Sequence, residues 1–156
     1  EMNVALIWDH LSLVLSALIL AVGVGVPLGL LAYLFPRFGK AILWVVDLIQ
    51  TVPALALLGI IMVVMDPGSP TAVIGLTLYS LLPIVRNTSL GLSQVPEHLK
   101  EAATGMGMSG TYRLLHVEVP LAVPMLVTGI RIAAVNAIGT AVFASFVGGG
   151  GLCSQP

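Results

Sequence analysis

Chemistry in this chain has to come from very few side chains: 6 Lys and Arg, 7 Asp and Glu and 3 His among 156 residues. Their spacing excludes several reactions at once. No G-x4-G-K-[ST] loop is present to cradle nucleotide phosphates, and no aspartate is placed to hold Mg2+. His10, His98 and His116 lack metal-ligand spacing, and Cys153, the single cysteine, allows neither an internal disulfide nor a Cys-based zinc site. What remains is a set of polar groups inside apolar runs (Asp47, Gln50, Arg131, Asn136 and Thr140) and one extended polar stretch, residues 92–118. An ionised side chain at mid-bilayer costs about 2.5–3.5 kcal/mol on insertion scales, so Arg131 reads either as lining a water-filled path or as half of a structural ion pair. Asp47 lies near the end of its run, where snorkelling or a helix–helix hydrogen bond is favoured over a path role. A direct Asp47–Arg131 pair would require the last run to tilt or break near Pro124. Gln50, Asn136 and Thr140 read as interhelical hydrogen-bonding groups before substrate contacts.

The elements that position these groups follow from hydropathy. The sequence is 58% apolar and 8% charged, against roughly 25% charged for a soluble domain, and its mean hydropathy is +1.08. Too little polar surface exists to cover a soluble globule, so the chain is read as an integral membrane protein. A net charge of -1 removes the electrostatic case for nucleic acid. Four apolar runs, residues 11–35, 41–65, 70–91 and 119–147, each approach or exceed the ~20 residues that span a bilayer as a helix. Nothing before Leu11 is basic, so the first run is a span and not a secretory signal. With no Ser/Gly/Pro-rich linker, low-complexity tract or repeat, residues 1–156 form one all-α transmembrane domain. Arg37, Lys40, Arg86, Lys100 and Arg113 fall on one side of this alternation. That side is cytoplasmic by the positive-inside rule, which places the N-terminus and the Asp66–Ser69 turn outside.

The polar stretch has its own organisation. Pro96 suits the first position of a helix and Glu97 complements its positive end. Leu99, Ala102, Ala103 and Met106 then recur as one apolar stripe. Gly105 and Gly107 break that helix, and Ser109 caps a second short one that runs through Leu114 and Leu115 until Pro120. The pattern is helix, glycine hinge, helix, with an apolar knuckle toward the cytoplasm. Spacing alone fits an interfacial amphipathic helix as well as a protein-docking element.

At these residues the sequence resembles a known family. Glu101-Ala102-Ala103, three residues, Gly107, nine residues, then Val117-Glu118-Val119-Pro120 is similar to the EAA signature of ABC-importer permeases, E-A-A-x3-G-x9-I-x-L-P, with valines at the isoleucine and leucine positions. Residues 50–57, 78–88, 129–131 and 138–141 look like the branch that imports glycine betaine, carnitine, choline and related osmoprotectants. The resemblance implies a MetI-like type I fold in the cytoplasmic (inner) membrane, without enzymatic activity of its own. It further implies a second permease chain, identical or not, and an extracytoplasmic substrate-binding protein. A separate ATPase subunit would bind ATP and Mg2+, leaving no cofactor in this chain. Residues 92–118 become the ATPase-coupling loop, carried by Glu101, Ala102, Ala103, Gly107, Val117 and Pro120, with Glu101 pairing either with the ATPase or with Arg113. Arg131, Asp47, Asn136 and Thr140 become possible translocation-path residues.

A quaternary ammonium substrate would suit an aromatic cage, but Trp8, Tyr33 and Trp44 lie at span ends, where an interfacial belt is the ordinary explanation. The family usually continues into a further helix after Gly148–Leu152, whereas this sequence reads Cys153-Ser154-Gln155-Pro156, so a C-terminally truncated permease is expected. The competing function classes are a channel or secondary transporter, which would call for intramembrane ion sites and paired repeats, and a membrane assembly factor.

Overall fold

The computed structural model describes residues 4–142, which are helical with no strand among them. Helix α1 (Val4–Leu34) takes in the first apolar run and starts several residues before it. Phe35 alone separates α1 from α2 (Pro36–Gln50), where Pro36 occupies the first turn and its missing N–H leaves no hydrogen bond unmade. The reversal is tight enough that a Cβ on Gly39 would stand 2.0 Å from the carbonyl oxygen of Ala32.

The second apolar run, expected as one span over residues 41–65, is instead two helices. Between α2 and α3 (Ala54–Val64) the chain bends by 101°. Pro53 has no N–H to give and biases Val52 away from helical geometry, so the run breaks there. The Val52 carbonyl left over by the break accepts the Tyr79 hydroxyl of the next helix at 2.7 Å.

Helix α4 (Ser69–Ser93) is the centre of the bundle, packed between α1 on one side and α7 on the other. Small residues set the spacing. A Cβ on Gly29 of α1 would lie 2.5 Å from Thr88 Cβ, and one on Gly129 of α7 would lie 2.7 Å from Asn87 Cβ. Backbones that approach this closely pack by van der Waals contact, which is what holds helices together where lipid supplies no hydrophobic drive.

The extended polar stretch forms α5 (Glu97–Gly105) and α6 (Gly110–Arg113), followed by a π-helical turn at Leu114–Glu118 and then α7 (Val119–Thr140). Pro96 caps α5 from outside and is not its first residue. The second short helix was expected to end at Pro120, yet α6, the π-turn and α7 form one rod, Gly110–Thr140. A proline ring ordinarily collides with the carbonyl four residues earlier, here that of His116, and the wider π-turn just before Pro120 gives it room.

Among the described residues three helices are therefore long and apolar enough to cross a membrane, Ile7–Leu34, Ser69–Ser93 and Gly110–Thr140, with the bent pair α2 and α3 as a fourth, broken span. The end of the last expected span, residues 143–147, and the calls on Gly148–Leu152 and Cys153 lie outside the described residues.

Candidate functional site

Helix α5 ends in a glycine turn that fixes the shape of the polar loop between α4 and α7. Gly107 has φ +86, the only left-handed φ among the described residues. Its N–H bonds the Thr104 carbonyl at 3.0 Å, while the Met108 N–H reaches back to Ala103 at 3.2 Å. These two bonds define a Schellman ending, in which the left-handed residue is glycine because a Cβ there would strike the following carbonyl. Gly105, also expected in the hinge, stays helical. Ser109 caps α6 as expected, its hydroxyl accepting the Tyr112 N–H at 3.4 Å.

The expected single apolar stripe on α5 is split between two faces. Ala103 is buried against the bundle beside Lys100, whereas Glu101, Ala102 and Met106 face outward, Met106 with 72% of its surface open. Tyr112 and Leu115 add exposed apolar surface on the second limb of the elbow. Tyr112 stacks on His116 with ring centroids 3.9 Å apart, and the His116 Nδ1 lies 3.0 Å from the Tyr112 carbonyl oxygen.

The inner side of the elbow is tied to the membrane helices through one carboxylate. Glu118 retains 1% of its exposure. It accepts from Arg113 Nε at 2.8 Å through Oε1 and from the Tyr33 hydroxyl at 2.5 Å through Oε2. Arg113 donates onward to the Thr104 hydroxyl at 2.8 Å, and Thr104 donates to the Lys100 carbonyl at 2.8 Å. The Lys100 ammonium sits 5.5 Å from the centre of the Tyr33 ring and 3.3 Å from Glu97 Oε2. Burial disfavours its charge, but its interactions with Tyr33 and Glu97 outweigh that and hold its pKa above the ordinary lysine value, so Lys100 is a cation at working pH. The last turn of α1, α5, α6 and the π-turn are thus joined by a continuous polar network beneath the outer face.

This network removes one of the two partners open to Glu101 and adds to the reading of Tyr33. Arg113 does not pair with Glu101 but with Glu118, and Glu101 has no hydrogen-bond or ion-pair partner among the described residues. Tyr33 is not a belt residue only, since its hydroxyl is committed to Glu118. The sequence reading gives Glu118 no role, because it occupies a variable position of the signature. The available signal was its five-residue separation from Arg113, which faces the two together only on a π-turn.

Inside the spans Asp47 and Arg131, a pair that would have required the last run to tilt or break near Pro124, do not meet. Asp47 is engaged by Arg86 of α4, both side chains half exposed. Arg131 is exposed and unpaired among the described residues. Thr140 bonds the Asn136 carbonyl of its own helix at 2.7 Å, and the Asn136 side chain faces outward. Val117 is half-buried in the π-turn, and Pro120 is exposed at the start of α7.

A multi-spanning helical membrane domain carrying a glycine-turned polar elbow is the class that fold and site together define. The chain belongs to the binding-protein-dependent transport system inner membrane component family, whose model matches residues 13–155. It is 41% identical over 145 residues to the carnitine transport permease protein OpuCB of Listeria monocytogenes, covering 93% of this chain and 66% of that protein. It is 40% identical to the glycine betaine/carnitine/choline transport system permease protein OpuCB of Bacillus subtilis, covering 92% and 66%. The osmoprotectant import permease protein OsmW of Salmonella typhimurium is 40% identical, with 95% and 71% covered. The chain thus spans about two thirds of the length of these relatives. Its fold is similar to that of a chain from the MetNI methionine ABC transporter in an inward facing conformation, with a TM-score of 0.87 at 23% identity, over 98% of this chain and 77% of that one.

Proposed function

We propose that this chain is a membrane-spanning subunit of an ATP-driven importer for a small compatible solute such as glycine betaine, carnitine or choline. The observation that carries this reading is the elbow itself. Gly107 turns the chain so that Glu101, Ala102 and Met106 are presented outward, while Thr104, Arg113, Glu118 and Tyr33 tie the inner side to α1 and α7. A displacement of the outer face by an ATPase subunit would then be passed to the spans through short, charge-assisted bonds. ATP and Mg2+ belong to that ATPase in this reading. Glu101, free of partners within the described residues, is left to pair across the interface. A second permease chain completes the path, and an extracytoplasmic binding protein delivers the solute. The names of the relatives support the solute class.

The test is uptake of glycine betaine or carnitine into proteoliposomes carrying the complete importer, with ATP hydrolysis measured alongside. Gly107→Val should lower uptake per ATP hydrolysed by about tenfold, because a β-branched residue strains the left-handed turn and deforms the docking surface. Gly107→Asn should retain most of the coupling, since asparagine visits that region readily. Unchanged uptake per ATP in Gly107→Val would remove the coupling role of the elbow.

The same reading places the elbow inside the cell and the Asp66–Ser69 turn outside. In a Cys153→Ser background, a cysteine at position 110 is expected to resist an impermeant thiol reagent applied to intact cells, and one at position 68 to react. The reverse pattern would invert the topology.

A further inference from the structure

Arg131 is the charged residue of α7, and its surroundings restrict what can neutralise it. One face of α7 is packed: Ala122, Gly129, Ala133 and Ala137 are buried against the bundle. Arg131 lies on the opposite face, in line with Leu121, Pro124 and Thr128 at helical spacing. Those three residues, with Gln94, also line a cavity of about 400 Å3 between α7 and the α4–α5 junction at the cytoplasmic end. Arg131 therefore follows Thr128, the last of these wall residues on α7, by about one helical turn.

Among the described residues no acid is free to meet it. Asp47 is held by Arg86, Glu97 by Lys100 and Glu118 by Arg113. Asp9 lies near the start of α1, Asp66 lies between α3 and α4, and Glu101 is on the cytoplasmic elbow. The described residues of a second copy would bring the same set. An uncompensated charge at the depth of Arg131 faces water or a ligand and not lipid.

We propose that Arg131 is the carboxylate-recognising residue of the translocation path, selecting zwitterionic solutes over purely cationic ones. This rests on the importer reading above. Glycine betaine and carnitine each carry a carboxylate beside the quaternary ammonium, whereas choline carries a hydroxyl. The planar guanidinium fork matches a carboxylate in bidentate fashion. For a bare cation the same group is only a repulsive charge in a low-dielectric passage.

The experiment uses the complete importer in proteoliposomes, with the ATPase and binding protein present. Arg131→Ala should reduce the ratio of glycine betaine to choline uptake by about tenfold or more while co-purification with the ATPase is unchanged, because a charge-assisted contact made in transit is lost. Arg131→Lys, which keeps the charge, should stay within about threefold of the wild-type ratio. Independently of transport, Arg131→Cys in a Cys153→Ser background should react with charged, water-soluble thiol reagents. An unchanged ratio in Arg131→Ala, equal loss of both solutes, or failure of Arg131→Ala to assemble with its partners would overturn the proposal. So would an Arg131→Cys variant modified only by membrane-soluble reagents. A wild-type importer that moves neither solute overturns the importer reading instead, and the labelling then decides the setting of Arg131 by itself.

Discussion

Glu118→Ala is expected to destabilise the protein by about 3 kcal/mol, the lower end of the range for breaking a buried ion pair. The carboxylate is 2% exposed at its side chain while Arg113 is 30% exposed, so the guanidinium can recover part of its hydration after the change. Tyr33 cannot do so as readily. Its hydroxyl points into the same buried site and would be left without the acceptor it now has at 2.5 Å. Replacing both charged partners at once, Arg113→Met with Glu118→Leu, should cost less than Glu118→Ala alone, because no charge is stranded. Thermal unfolding in detergent, followed for the single and double variants, checks both statements. A Glu118→Ala protein as stable as wild type, or a double variant less stable than the single one, would show that the network does not hold the elbow to α1.

Gly39→Ala is expected to be nearly as damaging, although it adds one methyl group. The new Cβ would fall 2.0 Å from the Ala32 carbonyl oxygen. The obstacle is backbone, and the Gly39 N–H is itself bonded to Phe35 at 2.7 Å. No rotamer change relieves such a contact, so α1 and α2 have to separate. Overpacking costs about 1–3 kcal/mol, and a backbone-to-backbone collision belongs at the upper end. The shift would also lift Val46 from Leu82 and Val85 and draw Asp47 away from Arg86. Gly23→Ala is the control, since a Cβ there meets nothing within 4 Å. Loss of folded yield and a lower unfolding temperature for Gly39→Ala, with Gly23→Ala unaffected, is the expected result. Equal behaviour of the two variants would mean that α1 and α2 are free to move apart.

The sequence by itself determined the features that depend on neighbouring residues. Apolar runs long enough to cross a bilayer are a property of consecutive side chains, and so is the clustering of basic residues between them. Gly107 was legible for the same reason: a left-handed turn admits few residue types, and the helix before it and the Ser109 cap after it are both local signals. The EAA spacing is likewise read along a single stretch.

Tertiary structure decided what depends on partners brought together from a distance. Tyr33 and Glu118 are 85 positions apart and Asp47 and Arg86 are 39 apart, and no periodicity along the chain encodes either meeting. The run at 41–65 stays apolar on both sides of Pro53, so its average hydropathy could not report the 101° break. A helix broken inside a membrane persists only where another helix satisfies its freed carbonyls, as Tyr79 does for Val52. The π-turn before Pro120 is of the same kind, for it keeps α6 continuous with α7 while bringing Glu118 onto Arg113. Local propensity sets which segments are helices, whereas the desolvation of their few polar groups sets how those helices bend and which of them meet.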